Sequence, residues 1–233
     1  RRGCLCLLLV HAGLLEVSDL SLGKLWPIAA CEGLYHMENA NDSSGNSRNL
    51  TASSVSFARA KFRFGALMSR SIESYLRSYD SFDIDKYADN WTLMGWFLAS
   101  SLTTGDLTEI VYFSGAGETY VRVTLKSLSS VWNLQIASAV SQTTNYPVGA
   151  AINTWYHVAV AYAGSTHTLY IYFNGALLGT IAQSIRSYGD TRLTFGHDVD
   201  HCINGLLDEF AVYSKTLTAQ EIRRYYAWAT GRL

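Results

Sequence analysis

Two adjacent carboxylates, Asp208 and Glu209, stand in the middle of an otherwise apolar nine-residue stretch, Gly-Leu-Leu-Asp-Glu-Phe-Ala-Val-Tyr at 205–213. Leu206, Phe210 and Val212 fall on one side of such a strand, with Leu207, Ala211 and Tyr213 on the other. Apolar residues on both faces suit a strand buried between two layers. A buried carboxylate costs several kcal/mol unless it is paired or coordinated. Strict alternation sends the two side chains to opposite faces, so at least one needs an internal partner, either a cation or a set of backbone N–H groups. Divergent side chains also cannot cooperate as acid and base on one bond.

A second concentration of chemistry lies at residues 38–47. Glu38 is followed by Asn39-Ala40-Asn41-Asp42-Ser43-Ser44-Gly45-Asn46-Ser47, dense in oxygen-bearing side chains and turn formers. Calcium takes six to eight oxygens from carboxylates, amides and carbonyls on loops, and the required glycine and terminal glutamate of an EF-hand are missing. Two readings stand: Glu38, Asn41, Asp42 and Asn46 contribute to a calcium site, or the segment is a turn whose Asx side chains cap their own backbone. Gly196-His197-Asp198-Val199-Asp200-His201-Cys202 also gathers metal-capable groups. Zinc there needs a closed four-ligand geometry, and a polar loop between two strands accounts for it more simply. No Gly-x-Ser-x-Gly, His-Glu-x-x-His or phosphate loop occurs, which removes the common hydrolase and nucleotide chemistries. Sequons at Asn41, Asn49 and Asn90 matter only in a eukaryotic secretory host. Tyr79, Tyr146 and Tyr188 are candidates for stacking on sugar rings, although tyrosines of this kind more often pack a sandwich.

The elements that would position these groups are mostly strands. Trp155-Tyr156-His157-Val158-Ala159-Val160-Ala161-Tyr162 alternates. Gly164-Ser165 turns into Leu169-Tyr170-Ile171-Tyr172-Phe173, and Asn174-Gly175 makes a hairpin into Leu177-Leu178-Gly179-Thr180. Residues 192–196 add a strand, as do 33–38, 91–97 and 71–76. Residues 53–68 read as paired strands, 108–140 as three more, and 80–83 as a loop. Thr218-Ala219-Gln220-Glu221 is a capping box with Leu217 and Ile222 as its staple. Ile222, Tyr225, Tyr226 and Ala229 form a helical stripe that Gly231 can stop.

These motifs carry a resemblance. Trp-Tyr-His-Val-Ala-Val-Ala-Tyr, Leu-Tyr-Ile-Tyr-Phe-Asn-Gly, Gly-Leu-Leu-Asp-Glu-Phe-Ala-Val-Tyr and Leu-Thr-Ala-Gln-Glu-Ile, in that order, resemble the C-terminal half of laminin G-like domains. These belong to the concanavalin A-like lectin/glucanase superfamily. The acidic strand end followed by Asn-Asp-Ser-Ser-Gly-Asn resembles the family's N-terminal motif, and residues 91–97 its central core strand. The resemblance implies an all-β, two-sheet antiparallel jelly-roll β-sandwich with a short C-terminal helix. It places the N-terminal turn beside the last strand, so Asp208 would join Asp42 and Glu38 around one structural calcium. It makes the terminal strands neighbours, so Cys31 and Cys202 could form a disulfide; two buried free thiols are the other reading. The superfamily's glucanases carry Glu-x-Asp-x-Glu on one strand, and no such spacing occurs here.

Composition agrees with one such domain. The chain has 233 residues, 13% aromatic and only 16% charged, with 18 Gly and 2 Pro, the profile of a tyrosine-rich β protein. A net charge of −1 gives nucleic acid or an acidic membrane surface no electrostatic hold. No repeat, linker or low-complexity tract divides residues 31–233. Before them, Arg1-Arg2 and a run of about a dozen apolar residues resemble a signal peptide too short to span a membrane; the alternative for 1–30 is an unstructured extension. The resulting expectation is a secreted or surface-exposed, non-catalytic module binding a glycan or a surface or matrix protein. A purely structural module of a larger surface or virion protein and a glycan-active hydrolase are the alternatives.

Overall fold

The structure is a computed structural model that describes residues 30–78, 82, 90–102, 107–115, 118–138, 142–182, 192–196 and 201–232. The signal-like segment before residue 30, the 80–83 loop apart from Phe82, Tyr79, Tyr188 and residues 197–200 of the proposed zinc loop lie outside the described residues.

Fifteen strands and one helix are described: β1 (Cys31–Tyr35), β2 (Leu50–Ser53), β3 (Ser56–Arg59), β4 (Phe64–Met68), β5 (Tyr75–Ser78), β6 (Trp91–Ala99), β7 (Leu107–Gly115), β8 (Glu118–Leu128), β9 (Val131–Ser138), β10 (Gln142–Pro147), β11 (Trp155–Ala163), β12 (Thr168–Phe173), β13 (Ala176–Ala182), β14 (Arg192–Phe195), β15 (Gly205–Tyr213) and α1 (Ala219–Ala229). They make two antiparallel sheets. The first runs β13-β12-β11-β6-β15-β4-β3, with β1 also on β15; the second runs β10-β9-β8-β7-β14-β5-β2. This is the expected sandwich. Strands with apolar residues at alternate positions turn them inward from both sheets, where Trp91, Phe97, Phe113, Phe195 and Phe210 are fully buried. Phe195 and Phe210 meet edge-on between the sheets at 4.8 Å, and Trp91 lies 5.2 Å from Phe113.

The outer face of the first sheet carries a second apolar layer under α1. Met94, Trp96, Ala159, Ala211, Tyr213, Ile222 and Tyr225 are buried together there. The capping box at Thr218 forms in full, and Trp96 Nε1–H donates to the Tyr225 hydroxyl at 3.0 Å. Trp96 and Trp155, on the two central strands β6 and β11, therefore pack on the helix side rather than between the sheets. Trp91 and Phe97 hold the interior positions of β6.

Three expectations change. Residues 70–72 form a 3₁₀ turn, so the strand expected at 71–76 begins only at Tyr75. β10 adds a strand on β9 that the pattern did not announce. The Cys31–Cys202 disulfide does not form: both are buried free thiols. β1 does pair with β15, but antiparallel, so Cys31 sits opposite Tyr213 at the far end of β15. Cys202 precedes the near end at Gly205, and the eight intervening steps of extended chain cover roughly 26 Å. Cys31 belongs to the helix-side layer and Cys202 to the inter-sheet core.

Candidate functional site

The oxygen-rich N-terminal turn is organised by Asp42. Its Oδ1 accepts from the N–H groups of Leu34 at 2.9 Å and Ser44 at 2.8 Å; its Oδ2 accepts from Ser44 Oγ at 2.8 Å and the Arg48 N–H at 3.0 Å. Four donors use the carboxylate's acceptor sites. The Asn46 side-chain amide donates to the carbonyls of Cys31 and Glu32. Asn41 is exposed, its N–H donating to Asn39 Oδ1. Glu38 lies 3.7 Å from the exposed Arg63. The expected calcium set of Asp208, Asp42, Glu38, Asn41 and Asn46 thus does not converge. Among the described residues no three His, Cys, Asp or Glu side chains come together to hold a metal ion. The Asx-turn reading accounts for Asp42.

Asp208 and Glu209 occupy a seam. On one edge of β15, residues 205–207 pair with β4 and residues 210–213 with β1. The two carboxylates fall where one neighbour hands over to the other. The register against β6 also shifts between Asp208 and Ala211, and Glu209 has φ +48. This bulge breaks the alternation read from the sequence, because an extra residue re-aims the side chains that follow. Leu207, Phe210 and Val212 consequently share the inter-sheet core, while Ala211 and Tyr213 face α1. Asp208 Oδ2 accepts from the Phe62 N–H at 3.0 Å, and Glu209 Oε1 lies 2.7 Å from His36 Nδ1. Burial pushes the Asp208 carboxyl up to about 7, with Glu209 adding to the rise and the Phe62 N–H opposing it. Lys61 caps this group: its ammonium lies 4.0 Å from the centroid of the Trp96 ring. Asp208 is fully buried and Glu209 only 3% exposed; the pair ties β1, β15 and the β3–β4 turn together, with Asp208 Oδ1 and Glu209 Oε2 buried and without a hydrogen bond.

Of the remaining sequence candidates, Tyr146 packs against the inter-sheet core. At the edge of the proposed zinc loop, Cys202 Sγ–H donates to the Ser74 carbonyl, which fits a loop joint. The Asn49 side-chain oxygen accepts from the Asp42 N–H, and that of Asn90 from the Gly164 N–H.

The outer face of the second sheet is a further surface, on which no helix among the described residues packs. Two rows of register partners cross it. One is Glu109, Thr124, Gln135 and Asn145, on β7 to β10. The other is Thr51, Arg77, Thr194, Tyr112, Arg122, Ala137 and Thr143, from β2 through to β10. Gln135 Nε2–H donates to Asn145 Oδ1 at 2.8 Å. Thr124, Gln135 and Thr194 are buried and form the floor, while Tyr112, Arg122 and Arg77 stand half-buried above it. Arg77 lies over the Tyr75 ring at 5.1 Å. A floor of hydroxyls and amides with aromatic and guanidinium groups at its sides offers hydrogen bonds and flat stacking surfaces together. The signal was present as period two: Arg122, Thr124 and Lys126 alternate with Val121, Val123 and Leu125, and Asn133 and Gln135 with Leu134 and Ile136.

Comparison with known proteins agrees with the fold. Residues 71–223 match a laminin G family model described as concanavalin A-like lectin/glucanases superfamily. The chain belongs to that superfamily, as a laminin G-like domain. No curated protein matches it in sequence. Among solved structures it is similar to domain 4 of AbnA, an extracellular arabinanase from Geobacillus stearothermophilus solved with arabinotriose. The identity is 17% and the TM-score 0.66, over 84% of this chain and 97% of that one. It is also similar to the binding domain of Paraclostridial Mosquitocidal Protein 1, at 14% identity and TM-score 0.67 over 86% and 52%. The binding domain of Botulinum neurotoxin DC, in complex with rat synaptotagmin II, gives 15% and 0.67 over 87% and 52%. The chain spans about half the length of each toxin chain. No helix among the described residues is long and apolar enough to cross a membrane.

Proposed function

We propose that this chain is a non-catalytic recognition module, working outside the cell, that binds a glycan across the outer face of its second sheet. The observation that carries the reading is the pair of polar rows on that face, centred on Tyr112 and floored by Thr124, Gln135 and Thr194. Sugars are recognised by planar hydrogen-bonding groups and by stacking on aromatic rings, and both are present here in a rigid sheet. The arabinotriose-bound neighbour and the toxin binding domains support a binding role. Hydrolysis by the usual route needs two carboxylates facing one bond; Glu109 on this face is 3% exposed and lies 3.9 Å from Arg122. The buried Asp208–Glu209 pair is on the other sheet, beneath α1. The test is a glycan array probed with the purified chain, followed by titration of the best ligand against the Tyr112→Ala variant. Loss of binding with an unchanged melting temperature supports the reading. Binding that survives Tyr112→Ala at full strength places the site elsewhere.

A further inference from the structure

Resting on that reading, we propose that the glycan is an acidic oligosaccharide whose carboxylate or sulfate groups are taken by Arg77 and Arg122. Two cations elsewhere on this protein pair closely with carboxylates. Arg48 meets Glu32 at 2.9 Å and Lys215 meets Glu221 at 2.6 Å. On the outer face of the second sheet the alternation of β5, β8 and β14 places Arg77, Arg122, Lys126 and Arg192, with the carboxylate of Glu109 beside them. The face is therefore cationic among the described residues, although the chain as a whole carries −1.

Glu109 makes only a long ion pair with Arg122. Glu109 Oε2 lies 3.9 Å from Arg122 Nη1, and Arg122 Nε is buried without a hydrogen-bond partner. A separation of 3.9 Å is beyond hydrogen-bond range. The Arg122 side chain is nonetheless 30% exposed, so its terminal Nη groups can meet a carboxylate or sulfate in two-point contact. Arg77 rests against an aromatic ring, Tyr75, instead of an acid. It is orientated by that contact without being neutralised.

The spacing sets the ligand's size. Arg77 and Arg122 occupy one row, separated by Thr194 on β14 and Tyr112 on β7. Three inter-strand steps separate them by roughly 14 Å, the reach of a short oligosaccharide rather than of one sugar. Tyr112 stands between the two cations, placed to receive a ring while charged groups on either side of it meet the arginines.

The experiment is calorimetric titration of the whole chain with three sets of length-matched oligosaccharides: carboxylated oligogalacturonate, sulfated heparin fragments and neutral arabinan or galactan fragments. The expected result is at least tenfold tighter binding of one acidic set than of the neutral set. That preference falls as salt rises and is removed by Arg122→Gln and reduced by Arg77→Gln at unchanged melting temperature. Arg122→Lys keeps the charge but not the fork, and is expected to recover only part of the affinity. The acidic set that binds identifies the anion. Neutral fragments binding as tightly as both acidic sets, or full affinity in both Arg→Gln variants, overturns the inference and leaves glycan recognition standing. If none of the three sets binds, glycan recognition on this face fails with it.

Discussion

His36 Nδ1 and Glu209 Oε1 lie 2.7 Å apart although 173 residues separate them. They join the chain just beyond β1 to the bulge of β15, where β4 and β1 meet end to end along one edge of the same strand. The junction leaves the two carboxylates without a partner on that edge, and His36, the Phe62 N–H and Lys61 lie against them. The hydrogen bond to Glu209 holds His36 above its ordinary pKa against the opposing effect of burial, with Glu38 and Asp208 adding to the rise. A histidine with a raised folded pKa contributes stability that is fully present below about 6.5 and is lost as pH rises through the folded value. His36→Ala should therefore lower the melting temperature more at pH 6 than at pH 9. Equal losses at both pH values would mean that the contact is not an ion pair.

His157 acts in the opposite sense. It is fully buried beneath α1, 5.1 Å from the Trp96 ring and 5.2 Å from Tyr225, with neither ring nitrogen hydrogen-bonded. Burial, reinforced by the Lys61 charge, pushes its pKa down to about 3. The unfolded chain takes up this proton near 6.5 while the folded one resists it, so stability falls progressively from pH 6.5 towards 3. Asp208, raised to about 7 by burial, favours folding at the acidic side of the same interval, since the folded state keeps its proton where the unfolded state does not. His157→Phe removes the first effect alone. Acid unfolding should then shift to lower pH by at least half a unit, with little change in stability at pH 8. An unchanged acid midpoint would show that His157 is protonated or exposed in the folded state.

Asp42 tests what holds the N-terminal turn. With three backbone N–H groups and one hydroxyl on its carboxylate, Asp42→Ala leaves several donors without a partner at about 1–3 kcal/mol for each that stays buried. A total loss of about 3 kcal/mol is expected in denaturant unfolding. Because four protein donors already occupy this carboxylate, a chelator should leave the wild-type melting temperature unchanged. A drop of several degrees on chelation, restored by calcium, would show that an ion shares the turn.

The sequence made the strands around the Asn174-Gly175 hairpin, the strand at 91–97 and the capping box at Thr218 legible, because each follows from local chemistry. Asn174 and Gly175 both adopt positive φ, as the two-residue turn requires, and Thr218 and Glu221 exchange their hydrogen bonds. The neighbouring of β1 and β15 was legible through the family resemblance. Direction was the missing step, since antiparallel pairing carries Cys31 away from Cys202. The bulge was illegible for a different reason. Asp208 and Glu209 read as an alternating pair, and only the change of neighbour from β4 to β1 explains why Glu209 adopts a left-handed conformation. On the polar sheet face, Arg77, Tyr112 and Arg122 are distant in sequence and ordinary one by one; register alone sets them in a row.

Gly95 offers the most direct test of how the two sheets are packed. It lies in the centre of β6, opposite Val158 on β11, between the buried Met94 and Trp96. The ring of Phe210, which follows the β15 bulge into the inter-sheet core and meets Phe195, lies against its Cα. A Cβ at residue 95 would overlap that ring. Phe210 has little room to withdraw, being fully buried and carried by a strand fixed between β6 and β1. Gly95→Ala should therefore cost about 1–3 kcal/mol by overpacking, even though alanine is the better strand and helix former in isolation. The double variant Gly95→Ala with Phe210→Leu makes room for the methyl group and should recover part of that loss. A chemical-denaturation cycle on the wild type, the two single variants and the double variant measures the coupling. Strict additivity would mean that the ring and the glycine do not touch, and that the bulge delivers Phe210 to a different part of the core.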